Sequence, residues 1–111
     1  YNIGVMMSRD GIAEAVKTMT KDVLKPEEPA KYDVIFLNDN ITPMEFVIRV
    51  LKSIFNKSQE EANKLTMMIH EKGKGVVGSY IFEVAEQKGI ETTLLARQES
   101  YPLQVKVQRQ K

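Results

Sequence analysis

The chain has 111 residues, 42% of them hydrophobic, and its sixteen basic and fifteen acidic side chains leave a formal net charge of +1. That is room for one modest core and an extension, and so balanced a charge excludes recognition of nucleic acid or an anionic membrane through an overall field. The absence of cysteine excludes disulfide scaffolds, thiolate zinc sites and cysteine nucleophiles together. No apolar run approaches the roughly 20 residues that cross a bilayer, and no signal-type segment opens the chain. A soluble, unsecreted protein is expected, with no nucleic-acid and no membrane partner.

The chain opens on Tyr1; Met6 or Met7 is the expected native start, and residues 1–5 are set aside from fold reasoning. From Asp10 to Leu24, Ile12, Val16, Met19 and Val23 recur at helical spacing with charges on the other side, which predicts a short amphipathic helix. Pro26 and Pro29 remove backbone donors and stop it. Residues 25–31 read as a linker, so the boundary is placed between an N-terminal extension, 1–31, and a core domain, 32–111.

The run YDVIFLN, Tyr32 to Asn38, is aromatic and β-branched and predicts a buried strand. Thr42, Pro43 and Glu45 predict a helix start: a Thr cap, proline at the first helical position and a Glu that reaches back. This helix is expected from Pro43 to Phe55, burying Val47, Val50, Leu51 and Ile54. Ser58 and Glu61 repeat the capping pattern for a second helix ending near Lys72, with Ala62, Leu65 and Ile69 on one stripe and Gly73 as a left-handed cap. Glycines 73, 75 and 78 among β-branched residues predict a strand over 74–80 with a bulge or a close backbone approach. A third helix is expected over 83–98 in spite of Gly89. A last strand follows Pro102, where Leu103, Val105 and Val107 alternate with Gln104, Lys106 and Gln108. The order implies an α+β fold: a small three-stranded antiparallel sheet with three helices packed on one face.

If Thr42 and Glu45 start the helix, Asn38, Asp39 and Asn40 are more polar than capping requires. One reading is an Asx-type turn held by local hydrogen bonds. The other is a ligand loop, in which a carboxylate and amide oxygens converge on a cation with several N–H donors. His70 is the single histidine; without thiolates or an HExxH pattern it offers too few ligands for zinc, and no metal or other cofactor is expected. No glycine-rich phosphate loop or G-x-S-x-G turn is present, which leaves an Asp39–His70 acid–base pair as the one enzymatic reading. Met44, Met67 and Met68 fall at the beginning of one helix and the end of the next. In an antiparallel pair, Met44, Val47, Thr66 and Ile69 would wall an apolar hole beside a rim of Asn38, Asp39 and His70.

The segments YDVIFLNDNITPMEFVIRVL, MMIHEKGKGVVGSY, EVAEQK and YPLQV together resemble the ClpS family, adaptors that deliver N-degron proteins to a Clp AAA+ unfoldase and its protease. The resemblance covers about Tyr32 to Val107. It implies binding of a free N-terminal Leu, Phe, Tyr or Trp, with Asn38, Asp39 and His70 on the α-amino group, Asn40 in the same loop, and Met44, Val47, Ile69 and Leu103 around the side chain, Thr42 at the edge. Thr66 stands where many relatives carry a Met that limits pocket width, so a pocket more tolerant of Ile and Val is expected, unless Met67 or Met68 fills the gap. Glu83 and Lys88 match family positions that contact the N-terminal domain of a ClpA- or ClpC-type unfoldase; otherwise both are solvated helix charges. The resemblance also implies a non-enzymatic protein of bacterial cytoplasm or plastid stroma, whose leading segment engages the unfoldase channel or docks on its own domain. Tyr1, itself a bulky N-terminal residue, could enter a neighbour's pocket. The rivals are a small enzyme built on Asp39 and His70, and a scaffold of ribosomal-stalk-like fold.

Overall fold

The computed structural model describes residues 29–111. The helix expected over 10–24, Tyr1 and linker residues 25–28 lie outside the described residues. The first strand, β1 (Lys31–Leu37), already includes Lys31, which had been assigned to the linker. It lies at the centre of the sheet, between β2 (Lys74–Ile81) and β3 (Gln104–Arg109), in the order β2-β1-β3 with both pairings antiparallel.

Alternation along β1 divides the sheet into two faces. Val34 and Phe36 are fully buried, and on the opposite face Asp33 accepts hydrogen bonds from Ser79 Oγ at 2.6 Å and Gln110 Nε2 at 2.9 Å. The bulge lies in β2: Val34 pairs with Gly78 and Ile35 with Val76, leaving Val77 unpaired and buried.

Three helices, α1 (Met44–Ser53), α2 (Gln59–Lys72) and α3 (Phe82–Gln98), cover the Val34–Phe36 face. Helix α1 buries Phe46, Val47, Val50 and Leu51, while Ile54 is only partly buried. Phe46, not foreseen as core, packs edge-on against Tyr101 with ring centroids 5.0 Å apart. The helix ends at Ser53 rather than Phe55, and Asn56 then turns the chain with φ of 55°, a conformation that asparagine tolerates better than most residues. Helix α2 carries the expected capping box: Ser58 Oγ accepts from Glu61 N and Glu61 Oε1 accepts from Ser58 N, both at 3.1 Å. Gly73 closes it with φ of 86° and donates its N–H to Ile69 O at 2.8 Å.

The start of α1 differs from expectation. Pro43 is the N-cap, and no side chain caps the helix. Thr42 Oγ1 donates to Asp39 Oδ2 at 2.7 Å instead; a hydroxyl bonded to an ionised carboxylate gains more than one accepting from a neutral helix N–H. Glu45 is exposed and does not reach back.

Candidate functional site

Between β1 and α1 the chain must turn from sheet to helix within six residues, and Asp39 organises that turn. Its Oδ1 accepts from Ile41 N at 2.7 Å and Thr42 N at 2.6 Å, and its Oδ2 from the Thr42 hydroxyl. This is the Asx-type turn of the first reading, although it does not exhaust the carboxylate. Of about four lone-pair positions on a carboxylate, three are taken, and one on Oδ2 stays open. Partial burial raises the pKa of Asp39, but hydrogen bonds from Thr42 and Ile41, aided by the charge of Arg97, outweigh it and hold the group below its ordinary value. A negative charge is therefore fixed at the loop at neutral pH.

The loop is tied to the far end of α2, because Asn38 N donates to Gly73 O at 2.9 Å. That bond sets Asn38 and Asp39 beside the last turn of α2, which carries Ile69 and exposed His70. Beneath the loop is a cavity of about 20 Å³ lined by Phe36, Leu37, Asn38, Asp39, Thr42, Val47, Ile69 and Leu103. Five of its walls are apolar and its polar groups converge from one loop.

Of the residues expected at the site, Asn38, Asp39, Thr42, Val47, Ile69 and Leu103 meet at this cavity. Asn40, Met44, Thr66 and His70 do not line it: Asn40 and His70 are exposed, Met44 is 37% exposed, and Thr66 is buried. The Thr66 hydroxyl has no hydrogen-bond partner among the described residues. Met67 is 46% exposed, and the Met68 methyl lies close to Gly75.

Phe36, Leu37 and Arg97 were not singled out from sequence as site residues. Phe36 and Leu37 form cavity walls; Phe36 was legible only as a buried strand residue. Arg97 donates from Nη1 to Tyr101 O at 2.7 Å and Leu103 O at 2.9 Å, which holds Leu103 against the cavity and brings the positive charge that acts on Asp39. Gly75, one of the glycines from which a close approach was expected, makes one: a Cβ there would stand 2.9 Å from Ile69 Cγ1 and 2.8 Å from the Met68 methyl.

On α3, Glu83 is exposed in the first turn. Lys88 is less free than a solvated charge: its Nζ donates to Ile54 O at 2.7 Å and stands over the rings of Tyr80 and Phe55 at 5.3 and 5.7 Å. Among the described residues no cluster of His, Asp or Glu has the makings of a metal site, and no helix is long and apolar enough to cross a membrane.

A family model described as ATP-dependent Clp protease adaptor protein ClpS matches residues 27–106. The ATP-dependent Clp protease adapter protein ClpS of Phenylobacterium zucineum is 47% identical over 94 residues, which are 85% of this chain and 84% of that protein. Its counterpart in Treponema denticola is 48% identical over 82 residues, 74% of this chain and 81% of that protein. Among solved structures, Agrobacterium tumefaciens ClpS2 bound to L-phenylalaninamide superimposes with a TM-score of 0.72 at 35% identity, covering 75% of this chain and all of that one.

Proposed function

The chain belongs to the ClpS family of ATP-dependent Clp protease adaptor proteins, and we propose that its Asn38–Thr42 loop holds the free α-ammonium group of a substrate's first residue over a cavity that takes the side chain. The observation that carries this reading is the Asp39 carboxylate, charged and with one lone pair uncommitted, at the mouth of a hollow walled by Phe36, Val47, Ile69 and Leu103. An α-ammonium of pKa about 8 is mostly protonated at neutral pH and brings three donors. Asp39 supplies the charge, the Asn38 amide and His70 further acceptors, and Met44 and Asn40 flank the entrance. L-phenylalaninamide on the Agrobacterium relative is a ligand of this kind.

The cavity as it stands has room for about one water. Entry of a Leu, Phe, Tyr or Trp side chain therefore parts the walls formed by Val47, Ile69 and Leu103. Burial of such a side chain contributes about 1.5–3 kcal/mol, each charge-assisted bond about 1.5–3, and association costs at least about 4. With a few such bonds the balance falls near micromolar affinity, which allows capture and later release.

The protein acts as an adaptor rather than a catalyst. The hydrogen bonds that lower the Asp39 pKa make it a weak base, the reverse of what general-base catalysis near neutral pH asks for. Residues ahead of β1 form the extension, and exposed Glu83, with Lys88 on the same helix, faces the N-terminal domain of a ClpA- or ClpC-type unfoldase. Thr66, smaller than Met, widens acceptance toward Ile and Val once the walls part.

Fluorescence anisotropy on peptides differing only in their first residue tests this. Leu, Phe, Tyr and Trp are expected to bind near micromolar and Ala or Ser at least tenfold more weakly, with Ile within about tenfold of Leu. Affinity independent of the first residue would overturn the reading. Glu83→Lys is expected to weaken binding to the unfoldase domain and leave peptide affinity unchanged.

A further inference from the structure

The sheet has two edges, and they are built differently. In β2 the bulge at Val77 breaks the ladder, which bends an edge away from further pairing. Strand β3 is regular: each of its residues pairs in one register with β1, from Leu37 opposite Gln104 to Tyr32 opposite Arg109. Gln110 N donates to Lys31 O at 2.9 Å and continues that register. In an antiparallel ladder, facing pairs that exchange hydrogen bonds alternate with pairs that do not. The backbone groups of Gln104, Lys106 and Gln108 are therefore turned to β1, and those of Val105, Val107 and Arg109 to the open side, where no further strand lies among the described residues.

An apolar groove of about 290 Å³ lies between α3 and β3, lined by Glu86, Gly89, Ile90, Leu94, Val105 and Val107 among others. A Cβ on Gly89 would stand 3.4 Å from Val107 and 3.6 Å from Val105, so its absence leaves both valines open to the groove. On the α3 wall, Leu94 is 65% exposed and Ile90 47%. These two are one turn apart, about 6 Å along the helix, and successive side chains on one face of a strand are about 6.7 Å apart. A strand laid beside β3 would find backbone partners at its edge and room for alternate side chains above α3.

We propose that an extended segment of a partner protein, alternating aliphatic and acidic residues, adds to β3 as a fourth strand, antiparallel to it, with its aliphatic side chains in the groove and its carboxylates on the opposite face of the sheet. Charge selects this occupant. Residues 104–111 include Lys106, Arg109 and Lys111 and no acid, and Lys106, exposed at the middle of β3, makes no ion pair among the described residues. A lysine so placed discourages a second copy, whose own β3 would bring the same three cations, and by the same charge favours a strand of carboxylates. Main-chain bonds at Val105, Val107 and Arg109 would hold the segment, and its alternating side chains would decide which segment is held. This recognition needs no free N-terminus and does not rest on the loop site.

The probe is a hexapeptide of alternating Glu and Val, acetylated and amidated at its ends so that it offers no ammonium group to Asp39. Added to the full chain at low salt, it is expected to slow amide exchange at Val105, Val107 and Arg109 at least tenfold, and to leave Lys106, already turned to β1, unchanged. Methylation of the valine amide nitrogens, which face β3 in this pairing, should weaken binding at least tenfold. Replacing the glutamates by lysine should do the same, and Lys106→Glu should invert the preference between the two peptides. No slowing at millimolar peptide, or equal binding of the N-methylated peptide, would overturn strand addition. Equal affinity for the Glu–Val and Lys–Val peptides would overturn the acidic partner. Slowing that grows with protein concentration in the absence of peptide would make a second copy the occupant and overturn the proposal as well.

Discussion

Two hollows in this domain are both floored by aliphatic side chains, yet they are built for different occupants. The one under the Asn38–Thr42 loop is small and overhung by a charged carboxylate and an amide. The α3–β3 groove is an order of magnitude larger and almost wholly apolar, with Glu86 its one charged wall. Apolar surface alone attracts any greasy partner and confers little selectivity. A fixed charge above a tight hole selects a ligand that carries an opposite charge and a bulky group at adjacent atoms, which a free chain terminus does and an internal segment does not.

The widest separation between the two hollows is expected in stability. Leu103→Ala removes a wall that is 2% exposed and should cost about 2–5 kcal/mol. Leu94→Ala, at a residue 65% exposed, should stay within about 0.5 kcal/mol. Urea titration of both variants measures the difference. Next is ligand affinity. Asp39→Asn keeps an oxygen for the Ile41 and Thr42 amides but loses the charge, and should weaken a Phe-first peptide about 10–100-fold, the worth of one charge-assisted bond. Leu94→Gln should leave that affinity unchanged, and calorimetry on the two variants separates the sites.

The pH profile sharpens the same point. Because the folded pKa of Asp39 is depressed, its contribution to stability is complete above its unfolded value and is lost only as pH falls through the lower folded one. Peptide affinity should therefore hold on the acid side down to the carboxylate range. On the alkaline side it should fall about tenfold per unit once the terminal amine, of pKa about 8, gives up its proton. The smallest effect contrasts two buried threonines on helices. Thr92 Oγ1 donates to Lys88 O at 2.8 Å, whereas Thr66 has no partner among the described residues. Thr92→Val should destabilise the fold by about 1 kcal/mol, and Thr66→Val should stabilise it by a similar amount, as thermal melts would report.

Elements with strong periodicity or explicit punctuation were readable from sequence alone. Ser58–Glu61 and Gly73 bounded α2 as expected, because capping boxes and left-handed glycines are local chemistry. The Val77 bulge was foreshadowed by the glycines of β2. The start of α1 was misread: Thr42 and Glu45 had the spacing of a cap, but the competing partner, Asp39, wins the hydroxyl, and sequence spacing does not rank two acceptors. At the site, Asn38, Asp39, Val47, Ile69 and Leu103 were legible, the last through the family resemblance. Arg97 was not, since its bonds are to the Tyr101 and Leu103 carbonyls, and backbone acceptors carry no sequence signature. Nor did sequence show that Lys88 is committed to Ile54 O, because that contact joins elements 34 positions apart.

The most direct test compares two peptides identical except for the first amine, one free and one acetylated, both beginning with Phe. Acetylation removes the positive charge and two of three donors while leaving the side chain intact. The free peptide is expected to bind near micromolar and the acetylated one at least a hundredfold more weakly, about 2.7 kcal/mol. Equal affinity would mean that Asp39 holds only its own loop, and the assignment of the site would be wrong.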